Sequence, residues 1–231
     1  MRIKIKRQDK PHAQAYWQEF EYEGGDDSTV AGLLDELNAR NELTDAHGRP
    51  ARRISWECSC MQGVCGSCAM VINGRPALAC ETFLRDLKGK KVTLEPLKKF
   101  PVISDLLVDR GVIEEGLREA QVYTEHDGGS AAEQRTHDHQ YAAARCLKCG
   151  LCLEVCPNYR GGEQFFGAAF ANDCYVCASV SESDAERITD TYREHFSEGC
   201  SKSMACMKIC PLQIPTISSM AKMNRGRLKR P

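Results

Sequence analysis

The sequence predicts an α+β chain, with strands gathered in its first hundred residues and helices after them. Three observations predict it. Arg2-Ile3-Lys4-Ile5-Lys6 and Gln18-Glu19-Phe20-Glu21-Tyr22 alternate apolar with polar residues, the two-residue period of half-buried strands. Val30, Leu33, Leu34 and Leu37 recur at helical spacing, as do Ala185, Ile188, Tyr192 and Phe196 far downstream. The chain also carries 14 cysteines, and they fall into spaced groups.

The 231 residues suffice for one large or two ordinary domains with real cores. A net charge of −1 gives no global attraction for nucleic acid. Met1 to Lys10 is charged and lacks the apolar region of a secretory signal. No run approaches the roughly 18 uninterrupted apolar residues of a membrane span. A cysteine-rich chain of this kind is expected in a reducing cytosolic compartment, with its thiolates bound to metal.

After the two alternating runs, Gly24-Gly25-Asp26-Asp27 reads as a turn, and Ser28 is placed to cap the helix that begins near Val30. Two strands followed by a helix begin a β-grasp-like layout. Cys60, Cys65 and Cys68 then form C-x4-C-x2-C, the spacing of a plant-type [2Fe–2S] loop. Gly63 and Gly66 let that loop approach a cluster and adopt positive φ. Residues 69–72 and 77–80, joined at Asn73-Gly74, read as a hairpin that returns Cys80 to the loop as fourth ligand. A zinc loop is the alternative. Cys58 stands two residues before Cys60, and using it would break the spacing, so it reads as a free thiol or one beside the ligands rather than among them.

Lys91 to Glu95 reads as a closing strand before Pro96, and Ile103, Leu106, Leu107 and Arg110 read as the start of the helical region. Residues 124–136 are polar and Gly-rich, hence a surface loop, with His137-Asp138-His139 as a solvated pair beside it. His12, His47, His126 and His195 stand alone and take no role. Phe165 to Val180 reads as a buried helix in which Cys174 and Cys177 pack as small hydrophobes. Ser181 with Asp184 resembles a cap and acidic first turn for the helix carrying Ala185, Ile188, Tyr192 and Phe196. Lys222, Arg225, Arg227, Lys229 and Arg230 form a basic tail, either simply solvated or in contact with anionic lipid or a membrane partner.

The strongest signal lies at Cys146, Cys149, Cys152 and Cys156, which form C-x2-C-x2-C-x3-C-P. In two-cluster proteins with this run the fourth cysteine ligates the other cluster. Cys200, Cys206 and Cys210-Pro211 supply the partner group, with Ser203 at the register position of a missing ligand. Paired by that logic, Cys146, Cys149, Cys152 and Cys210 suit [4Fe–4S]. Cys156, Cys200 and Cys206 have three thiolates and suit [3Fe–4S], since a serine hydroxyl is a poor, hard ligand beside a thiolate. A zinc site or disulfide framework fits seven interlocked cysteines less well. With no GxGxxG, Ser/His/Asp set or paired carboxylates, the chain reads as an electron wire of three clusters in series.

These motifs together resemble the iron–sulfur subunit of succinate dehydrogenase/fumarate reductase. The resemblance spans essentially the whole chain, including Phe100-Pro101-Val102-Ile103-x-Asp105-Leu106 and Met223-Asn224-Arg225. It implies a β-grasp [2Fe–2S] ferredoxin-like domain over 1–103 and an all-α two-cluster ferredoxin-like domain over 104–231. It implies a flavoprotein partner with FAD near the Cys60 cluster and a membrane anchor near the Cys156 cluster, on the cytoplasmic face of the cell membrane. Trp56-Glu57-Cys58-Ser59-Cys60 and Cys156-Pro157-Asn158 are most similar to the variant whose single cytochrome b anchor carries two haems and whose quinone is often menaquinone. Some members place a Trp after the Cys-Pro and a His after the first Cys of the last group. Here Asn158-Tyr159-Arg160 and Ser201-Lys202-Ser203 stand there, leaving Pro157, Asn158 and Ser201 as candidate quinone contacts. The iron–sulfur subunit of another flavin dehydrogenase or disulfide reductase, a free soluble carrier, and a zinc-binding interaction module are the competing readings.

Overall fold

The protein is described by a computed structural model covering residues 1–87, 89, 91–125, 134–161 and 163–225, with the backbone alone at 134 and 135. His126, Gly162, Arg227, Lys229 and Arg230 lie outside the described residues. The chain divides into two compact units, Met1–Asp109 and Arg110–Pro231.

The first unit is built on a five-stranded sheet in the order β2-β1-β5-β3-β4. Its strands are β1 (Arg2–Arg7), β2 (Tyr16–Glu21), β3 (Ala69–Ile72), β4 (Arg75–Leu78) and β5 (Lys91–Glu95). β1 pairs antiparallel with β2, Ile3 opposite Phe20, and parallel with β5, Ile3 opposite Val92. Alternation in β1 buries Ile3 and Ile5 completely and turns Lys4 and Lys6 outward. Asn73 and Gly74 both take positive φ, 48° and 76°, as the two-residue turn between β3 and β4 requires. Pro76 is tolerated because β4 is an edge strand.

Helix α1 (Val30–Ala39) buries Val30, Leu33, Leu34 and Leu37 fully. Each such burial is worth about 1.5–3 kcal/mol. Its cap is Thr29, whose hydroxyl accepts from the Gly32 N–H at 3.1 Å; the expected cap, Ser28, stands one residue outside. The shift has a cause. The Ser28 carbonyl accepts from the Leu84 N–H at 2.9 Å, and Thr29 bridges Phe83, so the chain is still extended at 28–29. Thr29→Ala is expected to cost about 1 kcal/mol, read as a lower denaturant midpoint with unchanged slope.

The helical start expected at Ile103, Leu106 and Leu107 is instead a small ribbon, β6 (Val102–Ser104) and β7 (Leu107–Val108). Asp105 turns it with φ 50°, and its N–H donates to the Gln8 carbonyl at 2.8 Å. Residues 104–109 therefore belong with the first unit.

The second unit is helical: α2 (Gly111–Glu119), α3 (Gln134–Ala144), α4 (Leu151–Glu154), α5 (Gly167–Val180), α6 (Ala185–Tyr192), α7 (Ala205–Ile209) and α8 (Thr216–Asn224). A π-helical turn, Arg193–Ser197, extends α6. α5 is central and packs against α2, α3, α6 and α8. It is mostly apolar with no single polar face, as suits a central helix, and Cys174 is fully buried in it. Ile188, Tyr192, Phe196, Met220 and Met223 complete the core. Gly167 opens α5 with φ 80°; a Cβ there would lie 2.3 Å from Leu153 Cδ2. Ser181 precedes α6, whose cap is Asp184. The Ser181 hydroxyl donates to the Asp184 carboxylate at 2.6 Å, and both are buried.

Where residues 124–136 were expected to be loop, α3 begins at Gln134. His139 is only partly exposed: its Nε2 lies 3.1 Å from Ser219 Oγ, and its ring meets Tyr175 edge-on at 4.6 Å. Burial, then the Lys222 charge, lowers its pKa below the ordinary 6.5. The unfolded chain thus binds the proton more readily than the folded one. Stability is expected to hold above about pH 6.5 and to fall below it, with His139→Gln flattening that slope in pH-dependent unfolding. Lys222, expected in a basic tail, donates to the Tyr175 hydroxyl at 3.1 Å. Among the described residues, no helix is long and apolar enough to cross a membrane.

Candidate metal centres

Both hands of the first site come from one loop and one hairpin. Met61, Gly63 and Gly66 take positive φ, 55°, 70° and 77°, and coil residues 60–68 so that backbone N–H groups face sulfur. The Gln62 and Val64 N–H groups donate to Cys60 Sγ at 3.3 and 3.4 Å, and the Gly63 N–H to Cys80 Sγ at 3.3 Å. The β3–β4 hairpin returns the chain as expected: Cys80 Sγ lies 3.3 Å from Cys68 Sγ, both buried. Cys65 Sγ meets Ser67 Oγ at 3.1 Å. Burial pushes the Cys80 thiol up to about 12. At Cys65 burial is outweighed by hydrogen bonds from Ser67 and Cys60, which bring it down to about 6. Donors aimed at sulfur and positive-φ turns suit a loop of thiolates around an anionic [2Fe–2S] centre. Cys58 is exposed, and its sulfur lies against Met61 Sδ.

In the second unit, Cys146, Cys149, Cys152 and Cys210 line one cavity, walled by Leu147, Leu151, Ala169 and Ile214. Lys148 and Gly150 take positive φ, 52° and 84°, which turns the chain between the cysteines and into α4. The Ile214 N–H donates to Cys210 Sγ at 3.5 Å. Burial first, then neighbouring thiols, holds the Cys149 thiol up at about 11, and Cys152 is raised well above its ordinary value. A buried, thiol-lined cavity of this kind fits a cluster that binds the thiolate form.

Cys156, Cys200 and Cys206 also come together. The Cys206 thiol is raised by burial and then by the charges of Cys156 and Cys200 beside it. Tyr192 is above its ordinary pKa through burial and then the neighbouring Cys200. Ser203 is exposed, and its hydroxyl accepts from the Ala205 N–H at 3.5 Å. The Asn158 amide donates to the Gly199 carbonyl, which sets Cys156-Pro157-Asn158 beside the Gly199-Cys200-Ser201 segment. Pro157 and Ser201 are exposed and Asn158 half-buried. Among the described residues, no three His, Cys, Asp or Glu side chains converge closely enough to share one metal ion.

Three neighbours of these cysteines do not follow from cysteine spacing. Ser67 lies inside the loop motif, and Lys148 sits between two expected ligands. Asp173 stands one helical turn after Ala169, and its carboxylate pairs with the Lys148 ammonium. The placement of Ser67 and Lys148 within C-x2-C spacings hinted at those two, and nothing in the sequence hinted at Asp173.

Residues 2–115 match the 2Fe-2S iron-sulfur cluster binding domain family. The succinate dehydrogenase iron-sulfur subunit of Bacillus subtilis is 31% identical over 236 residues, covering 97% of this chain and 91% of that protein. The fumarate reductase iron-sulfur subunit of Wolinella succinogenes is 31% identical over 229 residues, covering 94% and 90%. A solved chain of the Mycobacterium smegmatis Sdh1 complex in the apo form shares the fold, with TM-score 0.72, 22% identity and 98% of each chain covered. With identity at that level along nearly the full length of both proteins, this chain belongs to the succinate dehydrogenase/fumarate reductase iron–sulfur subunit family.

Proposed function

We propose that the chain passes electrons between the FAD of a flavoprotein subunit and quinone at a membrane anchor, as the electron-transfer subunit of a succinate:quinone oxidoreductase. The ligands are Cys60, Cys65, Cys68 and Cys80 for [2Fe–2S], and Cys146, Cys149, Cys152 and Cys210 for [4Fe–4S]. Cys156, Cys200 and Cys206 hold [3Fe–4S]. The observation that carries the reading is the convergence of cysteines far apart in sequence, Cys210 on the cavity of Cys146, Cys149 and Cys152. Family membership supports the rest.

When bound, such clusters accept and release single electrons with little change in ligand geometry. The chain's residues do the remaining work. The Gln62, Gly63 and Val64 N–H groups stabilise negative charge on Cys60 and Cys80. Leu147, Leu151, Ala169 and Ile214 exclude water from the second site and so lower its dielectric. Ser203 withholds a fourth thiolate from the third. Pro157, Asn158 and Ser201 stand where quinone would approach that last site. The Trp56-to-Cys60 run and Cys156-Pro157-Asn158 favour an anchor with two haem b groups and menaquinone, with the subunit peripheral on the cytoplasmic face of the membrane.

The test is low-temperature EPR on the complex purified anaerobically with its partners. An oxidised-state three-iron signal, joined on stepwise reduction by [2Fe–2S] and then [4Fe–4S] signals, is expected. A complex lacking the three-iron signal overturns the pairing of Cys156 with Cys200 and Cys206.

A further inference from the structure

Lys148 lies between two proposed ligands, Cys146 and Cys149, and lines the cavity they share with Cys152 and Cys210. Its side chain does not leave for solvent. The ammonium pairs with both carboxylate oxygens of Asp173 on α5, and the two side chains are 27% and 16% exposed. α5 also sends Ala169, one turn earlier, into the cavity wall. A full positive and a full negative charge are thus held at the edge of a largely buried thiol cavity. Two further charges act here: Glu114 of α2, which acts on both partners, and Arg110, the residue that precedes α2, which acts on Cys149. The field of the Lys148 ammonium reaches Cys146, where Asp173 opposes it.

Surface charges are screened within about 10 Å at 0.1 M salt, but charges at a buried site are screened far less. Adding an electron to a cluster adds negative charge there. A nearby cation eases that addition and a nearby anion resists it.

We propose that the Lys148–Asp173 pair sets the reduction potential of the centre held by Cys146, Cys149, Cys152 and Cys210, Asp173 cancelling most of the field that Lys148 would otherwise impose. The proposal rests on the [4Fe–4S] ligand reading above. Lys148 and Asp173 are positioning residues: neither touches a reacting atom, and both act through the field at the sulfurs. Asp173 also keeps the ammonium fixed at the cavity edge, so the field is constant from molecule to molecule.

The test is an EPR-monitored redox titration of the [4Fe–4S] signal in the complex with its partner subunits, for wild type, Asp173→Asn, Lys148→Gln and the double variant. Asp173→Asn leaves an uncompensated cation and is expected to raise the midpoint. Lys148→Gln leaves an uncompensated anion and is expected to lower it. The double variant is expected to return towards wild type, and the [2Fe–2S] midpoint serves as an internal control that stays fixed. If one single variant fails to assemble, the other single and the double still give opposite-signed comparisons. A pair that only braces α5 would leave the [4Fe–4S] midpoint unmoved in every assembled variant, and that result overturns the proposal alone. Absence of a [4Fe–4S] signal in the wild-type complex overturns the ligand reading, and the proposal with it.

Discussion

Asp105→Ala is expected to destabilise the first unit by about 3–5 kcal/mol, the range for removing one partner of a buried ion pair. Asp105 and Arg7 are both fully buried. One carboxylate oxygen lies 3.0 Å from Arg7 Nε, off the hydrogen-bonding angle, and accepts from Arg52 at 2.8 Å and the Gln8 N–H at 3.0 Å. The other accepts from the Ser55 N–H at 2.8 Å and Arg7 Nη2 at 3.2 Å. Arg7 spends its remaining donors on Gln18 and on the carbonyls of Arg52 and Arg53. The carboxylate thus ties β1, the 52–55 segment and the β6–β7 turn together. A guanidinium cannot shed its proton, so removing Asp105 strands a buried charge. Alanine also sits poorly at φ 50°, where Asp and Asn are tolerated. Asp105→Asn keeps one acceptor oxygen and the backbone preference but leaves the Arg7 charge equally uncompensated, so it is expected to recover only part of that loss. Urea unfolding of the three proteins separates these outcomes. Equal midpoints for wild type and Asp105→Ala would show that the network carries no net stability.

That network marks where the sequence was hard to read. Ile3, Ile5 and Arg7 share one face of β1, so the alternation that predicts two buried isoleucines also points Arg7 inward. Charge argues the opposite, and only Asp105, nearly a hundred residues on, resolves the conflict. The same distance hid the β6–β7 ribbon. Ile103, Leu106 and Leu107 fit a helical stripe, and the deciding contacts, Asp105 N–H to Gln8 and Leu106 N–H to Ser55, are tertiary. At the candidate centres the reverse holds. Thiol positions are set by local spacing and by turns that Gly63, Gly66 and Asn73-Gly74 announce, so the cysteine groups were legible from sequence. Asp173 was not, because a lone acidic residue on an apolar helix gives no sign of the lysine it meets. His139 misled for a related reason: its polar neighbours in sequence say nothing of Tyr175 and Ser219.

Ser203→Cys is expected to convert the centre at Cys156, Cys200 and Cys206 from three irons to four. Ser203 lies midway in the Cys200-to-Cys206 interval, between Lys202 and Met204, whose φ values are 57° and 59°. Departures into the left-handed region on either side of position 203 coil this segment around it. Its present hydroxyl merely accepts from the Ala205 N–H ahead of α7. A serine hydroxyl keeps its proton at neutral pH, whereas a thiol with pKa near 8.5 gives it up readily to a metal. The thiolate is also the softer donor that iron–sulfur centres select. The variant should therefore lose the oxidised-state three-iron EPR signal and gain a four-iron signal on reduction. A lower midpoint at this last centre follows, since four-thiolate ligation adds negative charge. Electron delivery to quinone would slow while succinate oxidation with an artificial acceptor taking electrons upstream is kept. That split distinguishes a change in the wire from a loss of assembly. An unchanged three-iron signal would mean that position 203 does not face the centre and that the register linking the two cysteine groups is wrong.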